Sequence, residues 1–231
     1  MAFASLSCVA IAQAKPELKG STLRVVRPGM TETLRIFGEN LSPESVTIGA
    51  PLKARILSAT NTEKAEKGRG GRVVAVEITT PEKATTNTLE LTLRQGKEKI
   101  TLPVTIVETA NTPPENKEPN NNHNKITTLN APMGVFGHVT PDRCDYYRFE
   151  AKEGEVWEIR LRAGRLGSAL DGMIRIRDHR RVCLGLGAGD ERKDRSLTFK
   201  APKDGAYLLE VCDAEMRGGD TFTYHLTLWK R

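Results

Sequence analysis

Glu118-Pro119-Asn120-Asn121-Asn122 opens, and Asp142-Arg143-Cys144-Asp145-Tyr146-Tyr147-Arg148-Phe149 closes, the stretch on which the fold turns. Its start places carboxylate and carboxamide oxygens on a segment that Pro119 holds extended, just after a proline-rich break. Its end places two more carboxylates, Asp142 and Asp145, at the entrance to a run that alternates as a half-buried strand does. Hard oxygen ligands in two clusters suggest calcium. The plain alternative is a hydrogen-bonded turn cap, and a carboxylate pair such as Asp142 with Asp145 also has acid–base uses.

Downstream of Phe149 the chain keeps a period of two. Trp157, Ile159 and Leu161 face one way and Glu158, Arg160 and Arg162 the other; Ile174 and Ile176 oppose Arg175 and Arg177. Phe222, Tyr224 and Leu226 likewise oppose Thr221, Thr223 and His225. With the turns at Leu170-Asp171-Gly172, Lys203-Asp204-Gly205 and Gly218-Gly219-Asp220, these runs predict an all-antiparallel sandwich over 118–231. Gly185, Gly187 and Gly189 read as a strand end and wide turn, because no helical pattern follows them as a phosphate loop requires.

Upstream, residues 15–108 alternate short apolar runs with turns: TLRVVRP, TLRIFGENL, SVTIG, ARILSAT, RVVAVEITT, LELTLRQG and ITLPVTIV. About seven strands at this spacing predict another sandwich. Leu89, Leu91 and Leu93 share the core face of their strand, with Glu90, Thr92 and Arg94 on the wet face. NTEKAEKGRGG, charged and glycine-rich, reads as an exposed hairpin tip. Residues 109–117, within ETANTPPENK, read as the linker between the two domains.

A chain of 231 residues suits two domains of about a hundred residues, each with its own core. Aromatic residues make up only 5%, while Val, Thr, Gly and Pro are frequent, which favours strands over helix bundles. The net charge of +6 favours acidic partners, but Lys and Arg are interspersed with Glu and Asp rather than massed, which argues against nucleic acid. Residues 1–14 hold the apolar run FASLSCVAIA and then Ala12-Gln13-Ala14, a small-x-small cleavage pattern. They read as an export signal whose basic start is missing, too short to span a bilayer. Leu6 stands one place from where a lipobox around Cys8 would have it. The expected location is secreted, periplasmic or cell-surface, and the expected state monomeric.

EPNNN, GHVTPDRCDYYRFEAKEGEVWEIRLRA, LGSALDGMIRIRD, LTFKAPKDGAYLLEV and TFTYHLTL follow one another in an order and spacing that resembles the bacterial pre-peptidase C-terminal domain. That family of secreted, jelly-roll-like sandwiches includes the collagen-binding modules of bacterial collagenases. The resemblance implies calcium ligands at Glu118, Asn120, Asn121, Asp142 and Asp145. Asn121 and Asn116 stand where acidic residues are common in that branch, so fewer charges face the ion and its affinity falls. GMTETLRIFGENLSP is similar to the early strand and turn of IPT/TIG-type immunoglobulin-like domains, closing on Gly38, Asn40 and Leu41.

Catalytic motifs are thin. The sequence has no His-Glu-x-x-His, no Gly-x-Ser-x-Gly and no Walker loop. His123, His138, His179 and His225 lack metal-triad spacing and read as surface or edge residues. The expectation is therefore an exported, non-catalytic accessory or adhesion module of two sandwiches, immunoglobulin-like and then pre-peptidase-like. It would bind or space extracellular protein or acidic polysaccharide. The competing reading is a hydrolase with an unrecognised site, using His138 or His225. Of the three cysteines that remain after cleavage, Cys183 and Cys212 sit in strand-like runs and are the candidate disulfide, against buried free thiols. Arg160, Arg162, Arg175 and Arg177 are expected to form one outward basic face if their strands lie side by side, against an ordinary solvated face.

Overall fold

The computed structural model describes residues 14–22, 24–62, 70–107, 121, 126–130, 132–189 and 194–231. Residues 1–13 of the expected export signal, the linker, Glu118, Asn120 and most of the NTEKAEKGRGG tip lie outside them.

Four sheets form two sandwiches. In the first, β1 (Glu17–Ser21), β2 (Val25–Val26), β3 (Thr31–Glu39), β4 (Ser45–Ile48), β5 (Lys53–Asn61), β6 (Arg72–Thr79), β7 (Asn87–Gln95) and β8 (Glu98–Ile106) divide into sheets ordered β1-β3-β6-β5 and β2-β8-β7-β4. Leu34, Ile36, Val74, Val76, Leu91 and Leu102 fill the space between them. The seven apolar runs are all strands, although TLRVVRP contributes only the two residues of β2. β1 was not anticipated, since ELKGS carries no apolar alternation. It pairs with β3 only because Gly38 has no side chain: a Cβ there would lie 2.1 Å from the Glu17 carbonyl oxygen. The turn after β3 closes as expected, with Asn40 at φ 54° and Leu41 fully buried. Asparagine tolerates that left-handed conformation.

In the second sandwich, β9 (Thr127–Thr128), β10 (Met133–His138), β11 (Asp145–Ala151), β12 (Val156–Arg162), β13 (Gly172–Arg177), β14 (Cys183–Leu186), β15 (Ala188–Gly189), β16 (Arg195–Lys200), β17 (Gly205–Asp213) and β18 (Thr223–Lys230) divide into sheets ordered β10-β18-β12-β16-β15 and β14-β13-β17-β11-β9. The wide turn at Gly187 carries the chain from the edge of one sheet, β14, to the edge of the other, β15. Trp157, Ile159, Leu161, Ile174, Ile176 and Leu226 are buried between the sheets, as the period of two requires. The pairing is not wholly antiparallel. β9 runs parallel to β11, and β2 to β8, each a two-residue strand laid along a longer one.

The sandwiches touch. Arg24, just before β2, donates its backbone N–H to the Leu166 carbonyl (3.2 Å) and Nη2 to the Gly167 carbonyl (3.2 Å), while its own carbonyl accepts from Thr105 N–H (2.9 Å). The Arg27 guanidinium lies 5.6 Å from the centre of the Phe136 ring. Arg35 pairs with Asp220 at 3.3 Å. That last pair is about two-fifths exposed on both sides and adds little.

Candidate functional sites

The strand that begins at Asp145 repeats every second residue toward the core, so Asp145, Tyr147 and Phe149 are all buried. Tyr224 of β18 reaches across from the facing sheet and donates its hydroxyl to Asp145 Oδ2; its oxygen lies 2.6 Å from the Tyr147 hydroxyl. Tyr224 has one proton and gives it to the carboxylate, so Tyr147 is the donor in the second bond. Burial, then the neighbouring Tyr147 and the Asp145 charge, push the Tyr224 hydroxyl well above its ordinary pKa. Gly137 opposite makes room, since a Cβ there would sit 2.4 Å from Tyr224 Oη.

The calcium candidates thus meet different surroundings. Asp142 is exposed on a turn at φ 59°. Asp145 is buried and accepts from the Tyr224 hydroxyl at Oδ2. Asn121 is half-buried, and Glu118 and Asn120 lie outside the described residues. Among the described residues no three His, Cys, Asp or Glu side chains cluster as metal ligands would.

The disulfide differs from the expected one: Cys144 bonds Cys212, and Cys183 is an exposed free thiol. Sheet order explains the correction. β14, which carries Cys183, is separated from β17, which carries Cys212, by β13. Asp145 lies opposite Val211, so Cys144 lies opposite Cys212, with Cα atoms 4.5 Å apart. That is the close spacing of a non-hydrogen-bonded antiparallel pair.

The four-arginine face is also corrected. All four arginines point outward, but β12 and β13 belong to opposite sheets, so Arg160 and Arg162 lie on one outer surface and Arg175 and Arg177 on the other. Arg175 and Arg177 are both spent on buried Glu210, at 3.6 and 2.7 Å. Arg160 and Arg162 instead join Arg165 and Arg195 around a cleft of about 410 Å³ whose lining includes Ala188, Gly189 and Asp194. Sequence reasoning missed the last two arginines. Arg195 shares the core parity of Leu197 and Phe199, and a charge at that parity signals a strand end with an ion-pair partner, here Asp171 at 2.7 Å.

His225 is not a surface residue. Phe136 stacks on it at 4.5 Å between ring centres, and neither ring nitrogen has a hydrogen-bond partner. Burial, helped by the Arg162 charge, lowers its pKa to about 4. Phe136, His225 and Arg162 occupy one row across β10, β18 and β12, with Arg27 of the first sandwich against Phe136. A neutral, buried imidazole next to the domain junction is poorly placed to activate a nucleophile.

No family model and no curated protein matches the sequence. Among solved structures, the chain is similar to the titin domains Z1Z2 in complex with telethonin, at 14% identity and a TM-score of 0.27, covering 95% of this chain and 96% of that one. It is also similar to an endo-fucoidan hydrolase from glycoside hydrolase family 107, at 11% identity and a TM-score of 0.26, covering 95% of this chain but 34% of that one. Likeness this remote brings no ligand, residue role or activity to the chain. Among the described residues no helix is long and apolar enough to cross a membrane.

Proposed function

We propose that the chain works outside the cytoplasm as a non-catalytic accessory module, in which two docked sandwiches hold a binding surface at a fixed distance and angle. The observation that carries this reading is Arg24, whose backbone and guanidinium both bond across the junction to the Leu166–Gly167 turn. Domains that only shared a tether would not need it. The Cys144–Cys212 disulfide supports export, because such bonds persist in oxidising compartments. The quoted motifs support a pre-peptidase C-terminal type for the second sandwich and an immunoglobulin-like type for the first. Calcium held by Glu118, Asn120, Asn121, Asp142 and Asp145 would add charge compensation where the linker meets the second domain.

The test is to immobilise the full chain and challenge it with extracellular polysaccharides and matrix proteins, following retention and product formation together. Ligand retained and recovered unchanged supports the module. Turnover that disappears in His138→Ala or His225→Ala would establish the hydrolase instead.

A further inference from the structure

We propose that the cleft at the β12–β16 corner binds the sulfate or carboxylate groups of an acidic polysaccharide. This rests on the binding-module reading above and names the ligand class. Among the described residues the cleft is lined by four arginines and one carboxylate residue, Asp194. Two of the four arginines are already engaged, Arg165 by Asp194 and Arg195 by Asp171. Those pairs anchor the rim. Asp194 also accepts from the Ala163 N–H at 2.9 Å, which fixes the carboxylate that orients Arg165.

Among the described residues Arg160 and Arg162 have no carboxylate partner. Arg160 rests over the Trp229 ring at 4.8 Å, which holds its guanidinium plane without neutralising it. Arg162 stands next to His225, which is buried and uncharged near neutral pH, and so finds no counter-charge there. Guanidinium forks match sulfate and carboxylate oxygens with paired hydrogen bonds. The floor is made of small residues, Ala188 and Gly189, which leave space for a sugar ring. A Cβ on Gly189 would lie 2.2 Å from Arg195 Nη1, so a side chain there would displace that guanidinium.

Among the described lining residues none is aromatic, and the nearby Trp229 ring carries Arg160 over its face, so single-stranded nucleic acid would find charge but no open stacking platform. The edge strand β15 is two residues long, too short a backbone ladder to pin an extended acidic peptide. Sugar-borne oxyanions are what remains.

The experiment measures binding of the full chain to heparin (sulfated), alginate (carboxylated), dextran (neutral), poly-glutamate and single-stranded DNA at fixed ionic strength. Arg160→Gln/Arg162→Gln is compared with Lys97→Gln/Lys99→Gln, an equal loss of charge on exposed residues of the first sandwich. The expected result is preference for one or both acidic polysaccharides, weakened about tenfold or more in the arginine pair and less than about twofold in the lysine pair. Heparin against alginate tells which oxyanion is read. Equal losses in both pairs, or equal binding of DNA and poly-glutamate, would reduce the cleft to diffuse charge and overturn the proposal. If the arginine variant misfolds, heparin-oligosaccharide shifts of the Arg160 and Arg162 Nε–H resonances in the unmodified chain decide, and unmoved resonances overturn it. Retention of neutral glycans or proteins alone sinks the cleft and spares the module reading, whereas turnover of any ligand sinks that reading.

Discussion

A Cβ built on Gly167 falls 1.7 Å from Arg24 Nε, so the first sandwich places a guanidinium where a side chain of the second would stand. Gly167 also sits at φ 84°, a conformation that costs other residues about 1 kcal/mol or more. Gly167→Ala therefore strains the backbone and expels Arg24 at once. In a double-mutant cycle by urea denaturation, Gly167→Ala should cost less in an Arg24→Ala background than alone, with a coupling of about 0.5 to 3 kcal/mol. Simple additivity would mean that the two residues do not meet.

His225 makes stability pH-dependent. Its imidazole is held neutral in the folded chain to about pH 4, whereas an unfolded histidine takes a proton near pH 6.5. Below pH 6.5 the unfolded state therefore binds the extra proton, and stability falls until the folded ring also protonates near pH 4. The full loss is about 3 kcal/mol. His225→Leu should flatten the curve between pH 6.5 and 4.5, above most carboxylate titration. An unchanged slope in that variant contradicts the assignment.

The Tyr147–Tyr224–Asp145 chain has a direction. Tyr224→Phe removes a donor from the buried carboxylate and should cost about 2 to 3 kcal/mol, while Tyr147→Phe leaves that donor in place and should cost about 1 kcal/mol. Urea midpoints give the order directly. The reverse order would place the proton on the other side of Tyr224.

The cysteines can be counted by peptide mapping. Alkylation of the exported, unreduced chain in denaturant should label the Cys183 peptide and spare those of Cys144 and Cys212. Labelling at Cys144 with protection at Cys183 and Cys212 would reinstate the pairing first expected.

Calcium at a few millimolar should stabilise the chain by about 1 to 2 kcal/mol, given the weak affinities of extracellular oxygen sites. Asp142→Ala is the informative variant, because Asp142 is exposed, while removing Asp145 also orphans Tyr224. A titration of metal-stripped protein with no heat and no melting shift up to roughly 10 mM would remove calcium from the scheme.

Strand positions were legible because burial imposes a period of two, and Trp157-Ile159-Leu161 and Leu91-Leu93 obey it without exception. Which strand joins which sheet leaves no trace in that period. Arg160 and Arg175 have the same local pattern and face opposite directions in space, and Cys183 and Cys212 lie in similar runs separated by β13. The burial of Asp145 was legible, since it shares parity with Tyr147 and Phe149. The junction was not legible at all. Nothing near Arg24 or Gly167 signals contact across 143 residues, and only the docked sandwiches bring the two together.

The most direct test of the fixed two-sandwich module is residual dipolar coupling of backbone amides in the full chain, fitted separately for residues 14–107 and 126–231. Domains locked through Arg24 should give one alignment tensor, the same in magnitude and orientation for both, and Gly167→Ala should split it. Two different tensors in the unmodified chain would mean that the sandwiches turn independently and would contradict the proposed function.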